Sequence, residues 1–426
     1  MRILMVHHTI MDVGGIANST CGLIIGLQEL GHDVLPIQME WRDHNGDPPT
    51  SGIITSDTDR AEILALFEDQ KKGYSFPKFR YKGKIGLTRW RKFARGFDLI
   101  FWQVPIPTMN ALNRGNNEWP DLYDLNVPQV AHSHDGNIFN TPWISEVAGR
   151  WKGIGCVNSC ALAGAKQVLP IPMSLVPSPQ WDIEQRMERG RAWNKRKGWL
   201  SLQTFKRWKR VDDLVRAVPF MEAPGPRYVA GGGIERYYMT SETKVKPAYL
   251  WRGKDKDFVK GWADQPIWGV AEEHAMHYLD YIPNEKRDEM LSWRRALIDP
   301  SWSNTYAKYG AHFNRVVIDG LIMGAVPMMR DWKDEGSPLQ PDYHFVPLPP
   351  TEAGPRKWAK AIDEVCTSDY SDWVRDAQQI LWRFEAKTAA RTFMRLAEGK
   401  GEFVGKRKAS FEIAGREALQ GFFGRV

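Results

Sequence analysis

The sequence predicts two doubly wound α/β domains in tandem. The chain opens on an apolar strand, Met1-Arg-Ile-Leu-Met-Val-His-His, followed by a Gly14-Gly15 turn and a helical run to Gly31-His32-Asp33-Val34, where a second strand begins. Short apolar runs separated by helical segments then recur, the mark of a parallel sheet with crossover helices. After a Pro-, Trp- and Arg-rich interruption from Pro177 to Gly198, a second series of the same kind starts.

The elements follow in order. Leu99–Trp102, Pro128–His132, Ile154–Val157 and Ser174–Pro177 are the further strands of the first series. Trp199–Leu202, Arg227–Ala230, Ala248–Trp251, His277–Ile282 and Ala296–Asp299 are strands of the second. A helix from about His312 to Met323, a strand Val326–Met329 and two helices, roughly Pro355–Cys366 and Asp372–Glu398, complete it. In the last helix Trp373, Ala377, Ile380, Leu381 and Phe384 recur at helical spacing, so one face is expected to be buried.

Composition bounds the function. At 426 residues each domain can bury its own core, and 42% apolar with 26% charged residues is ordinary for a soluble globular protein. The 19 tryptophans offer flat surfaces for stacking on bases or sugars, although most are expected in cores. A net charge of +7 favours an anionic partner. Cys21, Cys156, Cys160 and Cys366 are too scattered for a disulfide framework, and the Cys156/Cys160 spacing lacks a second ligand pair for zinc. No apolar run reaches 18 residues and the apolar start is too short for a signal peptide. A cytoplasmic monomer with no membrane partner and no bound metal is expected.

Three groups of residues carry chemistry. Ser133-His134-Asp135 closes a strand, and strand carboxyl ends face the ligand in an open α/β sheet. There Asp135 can act as a base or charge stabiliser and His134 as a donor to an oxygen. A His-Asp turn that only caps the next segment fits the same residues, and the His132/His134 pair lacks a spaced third metal ligand. Lys206, Arg207, Lys209 and Arg210 follow a strand and precede a helix, where cations and backbone N–H groups can neutralise a diphosphate; a solvated basic helix start is the bland alternative. Gly231-Gly232-Gly233 follows Arg227–Ala230, and glycine lets a ligand approach the backbone; a glycine turn with a surface ion pair beyond it is the alternative. Gly14 and Gly15 open the first helix, whose N–H groups can receive phosphate. No GxGxxG is present there, which disfavours a dinucleotide oxidoreductase.

Residues 71–96 are basic and aromatic, with no Asp or Glu. Lys78, Arg80, Lys82, Lys84, Arg89, Arg91 and Lys92 are candidate phosphate contacts, and Trp90 is a candidate wedge beside an extruded base. Arg191, Lys195 and Arg196 extend the basic set into the interruption. A solvated or lipid-binding patch is the alternative, but the segment shows no clean helical stripe of the kind a membrane-surface helix needs.

In their shared order these landmarks resemble the bacteriophage DNA α-glucosyltransferases, GT-B enzymes that glucosylate 5-hydroxymethylcytosine in duplex DNA. The resemblance runs from Gly14-Gly15 through Ser133–Asp135, Trp208-Lys209, Gly233–Arg236, His277–Met290 and Ile318–Pro327. It implies two Rossmann-like domains facing across a cleft: 1–180 as the DNA side with the 71–96 insert, 181–198 as linker, 199–370 as the nucleotide-sugar side, and 371–426 as a returning helix and tail. It further implies a retaining transfer, with glucose from UDP-glucose, onto a hydroxymethylpyrimidine in double-stranded DNA. His134 and Asp135 are placed at the reaction centre. Arg207 and Lys209 fall at the diphosphate, although Thr204 stands where the family has Arg. Gly232, Gly233, Glu235 and Arg236 line the donor, and Asp319 stands where a Glu binds the ribose. Lys and Arg supply the charge, so a divalent cation is at most stimulatory. A transferase acting on a lipid or polysaccharide and a non-catalytic DNA-binding protein on the same scaffold are the competing readings.

Overall fold

The computed structural model describes residues 1–7, 15–40, 78–80, 83–103, 123–134, 147, 149–203, 209–231, 276–279, 282, 284–301, 315–330 and 338–404. They form two compact units, one from Met1–Trp181 and Arg383–Val426, the other from Asp182–Tyr306 and Phe313–Trp382.

In the first unit the strands are β1 (Arg2–His7), β2 (Asp33–Glu40), β3 (Lys78–Arg80), β4 (Leu99–Gln103), β5 (Gln129–Ser133), β6 (Gly153–Cys156), β7 (Pro172–Leu175) and β14 (Phe403–Val404). Their order is β14-β7-β6-β5-β4-β1-β2-β3, all parallel except the β14 edge. Apolar side chains alternate between two cores because successive strand residues point to opposite faces. Ile3, Met5, Leu99 and Phe101 pack on one face, and Leu4, Val6, Ile100 and Trp102 on the other. A sheet covered on both sides needs such continuously apolar strands.

Helix α1 (Gly15–Glu29) and helix α10 (Ala386–Ala397) cover the first of those faces. Their backbones approach so closely at Gly26 that a Cβ there would strike the Ala386 carbonyl oxygen. On the other face lies α2 (Gly83–Ala94), which runs through the basic segment. Trp90 and Ala94 are buried, with Phe93 and Phe97 packed beside them, while Thr88, Lys92 and Arg95 are exposed. The segment therefore does carry a helical apolar stripe, contrary to expectation, and the core of its own unit takes it up. Helix α3 (Ser159–Val168) starts at Asn158, whose side chain accepts from the Ala161 N–H at 2.7 Å.

The second unit repeats the plan. Strands β8 (Trp199–Leu202), β9 (Arg227–Ala230), β10 (Met276–Leu279), β11 (Ala296–Asp299), β12 (Val326–Arg330) and β13 (Val346–Leu348) run parallel in the order β10-β9-β8-β11-β12-β13. Its helices are α4 (Ile183–Glu188), α5 (Val211–Ala217), α6 (Asn284–Ser292), α7 (Arg315–Ile322), α8 (Pro355–Thr367) and α9 (Ser371–Gln378).

Several expectations shift. The interruption at 181–198 is not a free linker: α4 and the 3-10 turn Trp193–Lys195 belong to the second unit, with Arg186 buried in it. The strand expected over His277–Ile282 is Met276–Leu279, and Ala248–Trp251 lies outside the described residues. The single helix expected over Asp372–Glu398 is two, α9 and α10, joined by a 3-10 turn at Gln379–Phe384. Glu385 is extended there because Gln180 pairs with it: Gln180 N–H donates to Phe384 O at 2.6 Å and Ala386 N–H to Gln180 O at 2.7 Å.

Candidate functional site

Each sheet contains the order 3-2-1-4-5-6, counted within its unit and extended by two further strands in the first, and so has a switch point where the chain reverses winding direction. Ligands in such sheets bind at the strand carboxyl ends there. In the first unit the register sets His7, Gln103 and His132 side by side across β1, β4 and β5 at that edge. His134 follows one residue past β5 and is nearly buried. Gln103 lies between two imidazoles, its Nε2 2.7 Å from His134 Nε2 and its Oε1 3.1 Å from His132 Nδ1. His132 Nε2 donates to the Val176 carbonyl at 3.1 Å. The His132 ring meets the edge of Phe393 from α10 at 5.0 Å, and Phe393 occupies space left by the missing side chain of Gly155. Asp135 and Gly14 lie outside the described residues, and Gly15 opens α1.

The second unit's switch point is also polar. Gln203 follows β8 and donates to Asp299 Oδ1 at 2.9 Å; the Ser301 N–H and hydroxyl donate to the same oxygen. Asp213, in the first turn of α5, holds two guanidiniums: Arg210 at 2.6 Å and Arg330, from the end of β12, at 2.5 Å. Half-buried Lys209 precedes Arg210. Lys209 and Arg210 keep partial exposure here, whereas Arg330 is buried and also donates to the Pro300 carbonyl. Arg207, Gly232, Gly233, Glu235 and Arg236 lie outside the described residues.

Asp319 requires a correction. Its carboxylate has no exposed surface and pairs with Arg186 at 2.7 Å and Arg287 at 3.3 Å, with Asp288 as second acceptor for Arg186. Burial alone would raise its carboxyl, but Arg287, Arg186 and Arg315 outweigh that and hold it at about 2. It ties α4, α6 and α7 together and does not reach a ribose. Its helix ends as the sequence indicates. Gly324 takes φ 75°, Ala325 N–H donates to Gly320 O and Gly324 N–H to Leu321 O, and the Met323 carbonyl accepts from Arg196.

No protein-family model and no curated protein matches the sequence. Solved structures match in fold. Anabaena HepE in complex with UDP covers 93% of this chain and 100% of its own, with TM-score 0.59 at 12% identity. An alpha-glucosyltransferase in complex with UDP and a 13-mer DNA containing a HMU base covers 93% and 99%, with TM-score 0.61 at 12% identity. A glycosyltransferase from Rickettsia africae covers 93% and 97%, with TM-score 0.59 at 11% identity. The chain has the GT-B fold.

The residues expected at nucleic acid divide within this GT-B chain. Lys92, Arg191 and Lys195 are exposed, and Arg191 stacks on Trp293 at 3.6 Å. Arg91 pairs with Asp124 at 2.7 Å. Lys78 and Arg80 lie in β3, and Lys84 and Arg89 in α2; Lys82 is outside the described residues. Two expectations fail. Trp90 has no exposed surface and packs 5.8 Å from Trp102, so it cannot wedge beside a base. Arg196 is buried and donates to the carbonyls of Arg191, Leu291, Arg294 and Met323, which makes it a cap for helix ends; burial lowers it to about 10. Among the described residues no group of three His, Cys, Asp or Glu could hold a metal ion, and no helix is long and apolar enough to cross a membrane. Two Asp-x-Asp spacings, Asp57/Asp59 and Asp255/Asp257, lie outside them. Gln103, Gln203, Asp299 and Arg330 are site residues not expected from the sequence. The available signal was a polar residue closing or following an apolar strand run.

Proposed function

We propose that the chain is a UDP-sugar glycosyltransferase acting on the hydroxymethyl group of a modified pyrimidine in duplex DNA. Glucose from UDP-glucose is the sugar, and the anomeric configuration is retained. The observation that carries the reading is a GT-B fold with a polar, buried-histidine switch point in one unit and clustered cations at the switch point of the other. Structures of similar fold include an alpha-glucosyltransferase in complex with UDP-glucose and DNA containing an abasic site.

In this reading Lys209 and Arg207 neutralise the diphosphate as the sugar's bond to it breaks, and Asp213 fixes Arg210 next to Lys209 in the chain. Gly14, Gly15, Gly232, Gly233, Glu235 and Arg236 complete the donor surface. His134 and Asp135 act where the acceptor oxygen bonds to the anomeric carbon. Lys78, Arg80, Lys82, Lys84, Arg89, Arg91, Lys92, Arg191 and Lys195 provide the phosphate contacts that hold the duplex. The charge at the diphosphate comes from side chains, so a divalent cation is not required.

The test is UDP release from UDP-glucose with hydroxymethylated duplex, unmodified duplex or no DNA, each with and without chelator. Release is expected with the hydroxymethylated duplex alone and to persist in chelator. Equal release under all three conditions would remove DNA as the acceptor, and loss in chelator restored by a divalent ion would overturn metal independence.

A further inference from the structure

Buried guanidiniums in the second unit sit on carboxylates: Arg186 on Asp288 and Asp319, and Arg330 on Asp213. Arg196 does not. It is only 3% exposed and donates to the carbonyls of Arg191, Leu291, Arg294 and Met323. No carboxylate among the described residues lies within ion-pair distance of it. A buried ion without a counter-ion is costly, so a cation in this state favours an anion beside it. Each terminal nitrogen of a guanidinium carries two N–H groups. Nη2 makes one hydrogen bond, to Met323 O at 2.7 Å, and its second N–H has no partner among the described residues. Nη2 is also the guanidinium atom that a Cβ on Gly190 or Gly324 would meet. Both glycines line a cavity of about 200 Å³ within the second unit, together with Arg196, Arg191, Trp193 and Ser371.

The cavity has a second cation. Arg191 is exposed, and its guanidinium is held over the Trp293 ring at 3.6 Å. Ser371 opens α9, whose amino end adds partial positive charge. The carboxylates beside Ser371 in sequence are engaged: Asp369 accepts the Ser371 N–H at 2.9 Å, and Asp372 pairs with Arg375 at 2.8 Å. Whole small-molecule ligands occupy about 300–1,000 Å³, so this cavity takes a group the size of phosphate and not a nucleotide. Its place in the sheet separates it from the donor residues. Lys197-Gly198, Arg294-Arg295 and Gly324-Ala325 lead directly into the parallel strands β8, β11 and β12, so the cavity lies at their amino edge. Gln203, Asp299 and Arg330 lie at the carboxyl edge, roughly 16 Å away along the strands at about 3.3 Å per residue. We propose that this cavity is a second anion site, where Arg191 and Arg196 bind one phosphate group at the edge of the sheet opposite the switch point. The phosphate is either free or part of a nucleic-acid backbone, since both present the same oxygens. The inference does not rest on sugar transfer.

The test is calorimetric titration of inorganic phosphate into the full chain at constant ionic strength, with excess UDP present to fill the donor site. Wild type should bind phosphate. Arg191→Gln should weaken that binding about tenfold, the loss of one charge-assisted hydrogen bond. Ser371→Glu sets a carboxylate at an exposed helix start, where the dipole favours it, and should abolish phosphate binding. Gln379→Glu makes the same charge change at the exposed far end of α9 and should bind phosphate as wild type does. The two glutamate variants titrated with unmodified duplex DNA identify the source. Ser371→Glu weakens the duplex more than Gln379→Glu does if the occupant is a backbone phosphate, and equally if it is a free one. Wild-type phosphate affinity in both Arg191→Gln and Ser371→Glu would overturn the proposal, as would a wild-type chain that binds phosphate no better than chloride. If Ser371→Glu does not fold, Arg191→Gln decides alone. A chain that fails to bind UDP refutes the donor reading and leaves the cavity to be judged on these variants.

Discussion

Asp319 shows how burial changes the role of a charged residue. A fully buried carboxylate among three arginines is costly to form, yet removing one partner is costlier still because unmatched cations remain inside. Asp319→Asn should therefore lower stability by about 3–5 kcal/mol. Thermal melting of the variant measures this, and an unchanged midpoint would reduce the network to a passive contact. The acid response has a defined sign. The carboxyl sits below its ordinary 3.8 in the fold, so its contribution is fully present above that value and is lost as pH falls through about 2. Tryptophan fluorescence over that acid range should show the loss in wild type and not in the variant. Trp90 teaches the complementary lesson. Its neighbours in sequence are basic, but helical spacing with Phe93 and Ala94 points it inward, and periodicity rather than local charge decides its place.

At the scale of elements, the contact of α1 with α10 depends on Gly26. Alanine is the better helix former by about 1 kcal/mol, but its Cβ would strike the Ala386 carbonyl. Gly26→Ala should thus destabilise the first unit by roughly 1–3 kcal/mol, the usual cost of overpacking. A stabilised variant, read by thermal melting, would show that the two helices separate easily. Exposed Lys92 lies on the outward side of α2, and exposed Arg95 follows in the turn just past its end. Neutralising both should weaken duplex binding and flatten the log affinity against log salt plot by about 0.9 per lost contact. An unchanged slope would make this side of α2 a solvated face. Most strands and α7 were legible in the sequence because apolar runs and Gly324 report local geometry directly, whereas the short edge strands β3, β13 and β14 were not. The break at Glu385 was not, because its cause is a backbone partner at Gln180, about two hundred residues away in the chain. Gln103 and Arg330 were equally hidden, since each gains its meaning from strands adjacent in space and not in sequence.

At the scale of the whole molecule, both units use one winding order, and each gathers polar residues at its switch point. The sequence resemblance and the GT-B fold agree, while the proposed DNA acceptor is tested through the exposed basic residues. The direct measurement is the mass of nucleosides released from hydroxymethylated duplex DNA after incubation with the protein and 13C-labelled UDP-glucose. The hydroxymethyl nucleoside should gain the mass of one labelled hexose, with no gain on unmodified nucleosides. If the hydroxymethyl nucleoside returns unshifted while the protein still consumes UDP-glucose, DNA is not the acceptor and the account of the basic residues is wrong.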